Sequence, residues 1–310
     1  MSEWTLQRTV GSVCVEGTDE SVEWLLTARD GIGDVGVRGS LRIRFDAGHR
    51  EPRYWYHVGS LIHTAPEIGV LQRQRTLTLC SDLCGATELF DLQADARAAQ
   101  LLVRAALLWL SRDAPSTHRV FAELSGAREP NGEAAHAGRA GVAQSSFFNA
   151  VLRHFLPASQ IEGPGEFGRR PADFSGLLPR HPLYVAMLPS QVQAQIGQAG
   201  VDDRHWQAAL SEEGLEQARM VSVVDAGPVH EGGLQACRMV QAAGWREVMP
   251  LGEMSSDADP GLAVAMLLDG ERDTAHVVRC RCQTGLLQLQ DEDMAARWPA
   301  GTKVWCAPCR

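Results

Sequence analysis

The chain has 310 residues, 45% of them apolar and 22% charged, and a formal net charge of −9. That length leaves room for two domains with cores of their own, and the ordinary composition speaks against disorder as the main state. The acidic balance argues against nonspecific binding to nucleic acid or to an anionic membrane, and no apolar run reaches the ~18–20 residues that span a bilayer. The opening MSEWTLQRTV has neither a basic start nor an apolar stretch of the secretory type, and the eight cysteines are scattered. Both features point to a cytoplasmic protein with reduced thiols.

In chain order, residues 4–10, 12–15 and 23–29 read as strands, with a Gly-rich turn over 31–36. Residues 37–45 alternate apolar and basic side chains, as a half-buried strand does. A loop over 46–53 leads into a segment at 54–63, and the whole suits an antiparallel meander running into the stretch that follows. That stretch, residues 77–110, organises the chain: an apolar strand, a turn punctuated by Ser81, Asp82 and Gly85, a second strand over 87–92, and a helix. Asp95 can cap the helix, which runs to about Leu110 and is apolar almost all round. Its polar residues Arg97, Gln100 and Arg104 fall at i, i+3 and i+7, a single exposed stripe on a helix otherwise covered by a sheet.

Beyond it, residues 119–124 read as a buried strand, 125–145 as a long loop, and 146–155 as a helix with Phe147, Val151 and Phe155 on one face. A loop over 162–170 and a short helix opening at 171–174 follow. The segment 177–188 is Pro-bounded, and a helix is expected over 204–213. A strand at 220–224 precedes a looser segment reaching residue 259. Short strands at 263–268, 276–282, 286–290 and 302–306, with a helical piece at 291–298, describe a small β-barrel. Residues 1–240 and 241–310 are therefore expected as two domains.

Several segments, in order, carry a resemblance. Asp82, Gly85, Thr87, Glu88 and Leu89 are similar to a D-x-x-G-x-[ST]-E-L segment, and residues 54–63 (YWYHVGSLIH) to WY-x-x-RVGTLVH. Residues 122–126 (AELSG) resemble AEMRG, 146–149 (SFFN) resemble SPFW, and 178–184 (LPRHPLY) resemble MPKHPIY. Ile196-Gly197-Gln198 matches IGQ, and Asp225-Ala226-Gly227-Pro228 is similar to DGGP. All belong to the arginine N-succinyltransferase family, and the chain is identified as a member over roughly residues 50–230. The resemblance implies an α+β, acetyltransferase-like (GNAT) mixed sheet flanked by helices, with a small C-terminal β-barrel. It implies succinyl transfer from succinyl-CoA to the α-amine of arginine in arginine catabolism, with no metal. It also implies a homo-oligomer, or a hetero-oligomer with a homologous chain.

Three departures bear on activity. The family's Gly-containing loop before the long helix receives the CoA pyrophosphate on backbone N–H groups; residues 92–100 here contain no Gly, and the Asp95 carboxylate is expected where that phosphate would lie. The family's proton-donor His follows IGQ by two positions, where this chain has Gly200. Twenty residues precede Ser21, so the family's N-terminal region is expected to be cut down here.

Acyl transfer to an amine needs a deprotonated acceptor and a proton for the departing thiolate. The nearest ionisable ring to Gly200 is His205, with Asp202 and Asp203 as neighbours able to keep it protonated. The same two carboxylates alternatively cap the helix that starts at Arg204. Leu92 stands at the family's acyl-CoA-contacting position, and Arg97 and Arg104 are candidate phosphate charges. His57 and His63 either touch substrate or hydrogen-bond locally within a strand, and His181 either borders the acceptor or structures a turn. Cys280, Cys282, Cys306 and Cys309 are spaced as a possible thiolate zinc set, or as packing residues on strands. Two functions remain: a succinyltransferase, or a degenerate paralogue serving as a partner subunit or ligand-binding protein.

Overall fold

The structure, a computed structural model, describes residues 4–13, 21–30, 37–50, 52–127, 145–156, 176–250, 263–269, 273–283, 285–290 and 292–308. Three antiparallel strands open it: β1 (Trp4–Val13), β2 (Ser21–Asp30) and β3 (Gly39–Arg44). The alternation read over 37–45 is real, with Leu41 and Ile43 fully buried. Next come β4 (Trp55–Ala65) and β5 (Val70–Cys80), a long hairpin. The expected meander breaks here: β3 pairs not with β4 but with β6 (Thr87–Ala94). The hairpin is carried to the far side of the sheet.

Helix α1 (Ala96–Asp113) follows β6 and leads to β7 (Arg119–Glu123), which pairs parallel to β6. A parallel pair needs such a crossover. Leu101, Leu102, Leu107, Leu108, Trp109 and Leu110 are all fully buried. Each contributes about 1.5–3 kcal/mol by leaving water. After the short helices α2 (Ser146–Ala150) and α3 (Ser190–Gln195), with the two-residue strand β8 (Leu183–Tyr184) between them, comes α4 (Arg204–Glu212). It packs on α1 through Trp206, Ala209 and Leu210.

The polar stripe of α1 is a correction. Arg104 is buried and its Nε donates to Glu213 at 2.7 Å, while Gln100 donates to Glu212. The end of α4 covers the stripe, and only Arg97 stays exposed. The strand expected at 220–224 is β9 (Glu216–Ser222). The segment after 224, expected to be loose, is regular over its described residues up to 250, where it holds β10 (Pro228–Gly233), α5 (Arg238–Ala242) and β11 (Gly244–Met249). The strands β12 (Ala263–Asp269), β13 (Thr274–Gln283), β14 (Leu286–Leu289) and β15 (Lys303–Pro308) complete the fold, with α6 (Glu292–Arg297) between the last two.

Among the described residues the strands form one ladder, β12-β15-β11-β14-β13-β1-β2-β3-β6-β7-β10-β9-β4-β5-β8. The β12–β13 pairing closes its first five into a barrel, as expected from the sequence. The whole is mixed α+β and rich in strands. Cys280 and Cys306 are fully buried inside the barrel among Val278, Leu287 and Val304. Cys309, the side chain of Cys282 and the expected features at 31–36, 128–144 and 157–175 lie outside the described residues. No described helix is long and apolar enough to cross a membrane.

Candidate functional site

In sheets with parallel strands, ligands bind beyond the carboxyl ends of those strands. Here that end is set by β6–α1–β7. The parallel pairing runs from Thr87↔Val120 to Leu89↔Ala122, after which β6 leaves β7 and runs on paired with β3 only. Asp95 is the single residue between β6 and α1. Its carboxylate accepts from the N–H of Ala98 at 2.9 Å, a helix N-cap as expected. Leu92 is half-buried against the α1 core, and exposed Arg97 donates to Gln100 at 3.1 Å. These two residues flank the β6–α1 joint.

Three of the resembling segments converge just past β7. Gly126 bridges Ala199, the N–H of Gly200 donates to the Ser125 carbonyl at 2.8 Å, and that of Ala127 to Gln198 at 2.9 Å. From the other side the Asp225 carboxylate accepts from Gly126 at 2.8 Å and from Gly227 at 2.9 Å. The N–H of Gly197 donates to Ala226 at 2.9 Å. The approach leaves no room for side chains: a Cβ on Gly126 would lie 2.3 Å from the Asp225 carbonyl oxygen, and one on Gly227 2.0 Å from that of Leu124. Burial pushes the Asp225 carboxyl above the usual range, with Glu123 adding to the effect against the two amides. Asp225 was not singled out from the sequence. Its place at the head of the D-A-G-P turn was the available signal.

A charged row supports this end from the opposite face. Buried Glu88 binds Arg44 at 3.1 Å and Arg53, while Glu123 accepts from Arg53 at 3.3 Å and from the indole of Trp55 at 2.9 Å. The two carboxylates hold Arg53 fully charged, its pKa raised despite the opposing cost of burial.

A cleft of about 840 Å³ opens beside the convergence, between α3 and α4. Its walls include Ala127, Gln198, Ala199, Arg204, Gln207 and Ser211. The residues at 204, 207, 208 and 211 are one face of α4. His205 is not on that face and does not line the cleft. Its ring is tilted against Trp206, centroids 5.7 Å apart, and its Nε2 is buried without a hydrogen-bond partner among the described residues. Asp203 occupies the cap position of α4 yet makes no side-chain cap. It accepts instead from the N–H of Ser125 at 2.8 Å, tying α4 to the end of β7. The expected pairing of His205 with a neighbouring carboxylate is therefore replaced, for Asp203, by a backbone contact. Gly200 lies against Ser125 and Gly126, where an added Cβ would sit 3.3 Å from the Gly126 oxygen.

Of the remaining candidates, His57 and His63 lie on β4, with the His63 ring 6.0 Å from that of Tyr184, and His181 is exposed. Arg104, held by Glu213, is not available as a phosphate charge.

A mixed sheet parted behind a parallel strand, with glycine-lined segments converging at its end, defines a class of fold with a ligand cleft at that point. The family described as Arginine N-succinyltransferase beta subunit matches residues 6–239, and the chain belongs to it. Among curated relatives, an Arginine N-succinyltransferase of Yersinia pestis (strain Pestoides F) is 28% identical over 230 residues, covering 69% of this chain and 60% of that protein. The Arginine N-succinyltransferase subunit beta of Pseudomonas aeruginosa is 29% identical over 251 residues, covering 77% and 68%. The chain thus spans about 60% of the first relative's length. A solved structure of arginine/ornithine succinyltransferase subunit AI from Pseudomonas aeruginosa superposes with a TM-score of 0.68 at 21% identity, covering 92% of this chain and 81% of that one.

Proposed function

We propose that this protein transfers the succinyl group of succinyl-CoA to the α-amine of arginine. The convergence of residues 125–127, 198–200 and 225–227 beside an open cleft, at the end of the parallel pair, carries the reading. The β6–α1–β7 unit supports an acetyltransferase-like (GNAT) core over residues 1–240, with the barrel as a second domain over 241–310. In this reading the pantetheine arm runs along Leu92, Arg97 supplies charge for phosphate, and His205 gives the proton to the departing thiolate after a rotation that frees its ring. The protein acts in the cytoplasm as a homo-oligomer or beside a homologous chain.

Two observations favour the second reading, a non-catalytic partner subunit. Gly200 offers no proton at the position resembling the family's His. The Asp95 carboxylate already holds an N–H at the start of α1, where a pyrophosphate would need it, and repels that anion. Calorimetric titration with succinyl-CoA, with and without arginine, separates the two. Heat at micromolar ligand, arginine-dependent thiol release and its loss in His205→Ala support the enzyme. No heat at millimolar CoA sinks it for the isolated chain. Thiol release restored by adding a homologous full-length subunit would then identify a partner.

A further inference from the structure

A second cleft, of about 480 Å³, lies on the other side of the Ile196–Gly197–Gln198 turn. It forms where β4 leaves β9. Those strands pair from Trp55↔Ser222 to His57↔Met220, and then part as β4 runs out into its hairpin. Residues 58–60 and 217–219 face the resulting gap. Period-two alternation puts Arg73 and Arg75 of β5 on the same face as Leu77, and Arg219 of β9 on the same face as Val221. Leu77 and Val221 are buried in one core cluster. One step outward Arg73, Arg75 and Arg219 are exposed and form part of the cleft lining.

The charge there is one-sided. The lining contains Arg73, Arg75 and Arg219 and no aspartate or glutamate. Among the described residues none of the three arginines is within ion-pair distance of a carboxylate, although the chain carries 38 acidic residues against 29 basic. The Nε of Arg73 donates to the hydroxyl of Ser60 at 3.2 Å, and Gln217 donates to the Gly197 carbonyl at 2.8 Å, bracing both walls. Gly197 takes a positive φ of 79° at the turn. Three like charges gathered without a counter-ion repel one another, and a cleft with one sign of charge focuses its field on an oppositely charged ligand. Guanidinium forks match carboxylate and phosphate oxygens in pairs.

We propose that this second cleft is an oxyanion site, taking a small molecule with two or more carboxylate or phosphate charges on Arg73, Arg75 and Arg219. If the acyltransferase reading holds, the turn at Gly197 divides this anion site from the larger cleft, and one ligand's charged end reaches round it. The inference itself stands on the cleft and not on that reading.

The test titrates the purified chain with succinate, with adenosine 3′,5′-bisphosphate and with coenzyme A at low ionic strength, and follows thermal stability with each. The expected result is saturable binding of at least one of these that weakens with salt. It falls at least about tenfold in Arg75→Gln and in Arg219→Gln but not in Arg38→Gln, an equal charge change next to β3, which β6, β7 and β10 separate from β9 in the sheet. A preference for succinate assigns the site to a carboxylate ligand, and one for the bisphosphate to a nucleotide phosphate. Absence of binding by all three, or equal affinity in the Arg75 and Arg219 variants, overturns the proposal. Coenzyme A binding that is untouched by both variants overturns it while leaving the acyltransferase reading intact. Succinate or bisphosphate binding without coenzyme A binding supports it and removes that reading.

Discussion

Gly227 is the residue on which the convergence depends most. A Cβ there would enter the Leu124 carbonyl, backbone that cannot swing aside as a side-chain tip can. Gly227→Ala is expected to cost about 1–3 kcal/mol, or more, by overpacking. Gly244→Ala, which meets nothing within 4 Å, is expected to change stability by under about 0.5 kcal/mol. Urea unfolding of both variants checks the pair. His230 gives a pH signature. Burial holds its imidazole below the ordinary histidine value, against the opposing pull of the Leu215 carbonyl and Glu216. The folded state therefore takes that proton less readily than the unfolded chain. Its contribution is complete above the unfolded value of about 6.5 and is lost as pH falls through the lower folded one. Unfolding free energies measured from about pH 7 to 5 should decline less steeply in His230→Gln. Gly227 was visible in the sequence only as part of the D-A-G-P segment and His230 not at all, because a glycine's closeness to a carbonyl and a histidine's burial are set by segments about a hundred positions away.

At the scale of elements, the strand–helix–strand unit was legible. Asp95, the turn at Gly85 and the apolar run of α1 state it locally, and the cap forms as read. The exposed stripe was misread for a physical reason: its cover, Glu212 and Glu213, arrives from another helix, and periodicity reports only which side is polar. The same limit hid β10, α5 and β11, short elements held by sheet partners more than by their own pattern. Among candidate site residues, Leu92 and Arg97 were placed beside the expected joint. His205 was assigned from proximity in sequence to Gly200, and helical rotation turned it off the cleft face. The cap offers a direct prediction. Asp95→Asn keeps an acceptor for the Ala98 N–H but removes its charge, so stability should change by only a few tenths of a kcal/mol while CoA affinity rises. Asp95→Ala should instead cost about 1 kcal/mol. Chemical denaturation and titration of the two variants separate cap from charge, and an unchanged affinity in Asp95→Asn would clear the carboxylate as an obstacle.

Across the whole molecule, the barrel is tied to the main sheet by β1. Thr5, Leu6 and Gln7 pair with His276, Ala275 and Thr274. Arg8 extends the tie: its guanidinium binds Asp273 beside the barrel and Asp113 at the end of α1, and lies 4.5 Å from the ring of Trp24. Despite the cost of burial, Arg112 and Arg8 hold the Asp113 carboxyl below its ordinary value. Removing one partner of this group leaves charges uncompensated. Arg8→Met is therefore expected to uncouple the barrel, turning one thermal transition into two in a calorimetric scan. A single transition at lower temperature would mean that the β1–β13 ladder suffices alone. The barrel's short strands were readable in sequence, but its attachment through the first strand was not, since pairing between opposite ends of a chain leaves no local mark.

The buried partnership of Arg104 and Glu213 also has a consequence for how the chain is made. The two residues are 109 positions apart. At a synthesis rate of roughly 5–20 residues per second, α1 leaves the ribosome roughly 5–20 s before the segment that neutralises its arginine and covers its outer side. For that interval an almost wholly apolar helix waits beside strands whose neighbours β9 and β10 do not yet exist. Nascent chains halted before residue 213 should therefore recruit chaperones and aggregate when released, whereas chains halted after β10 should not.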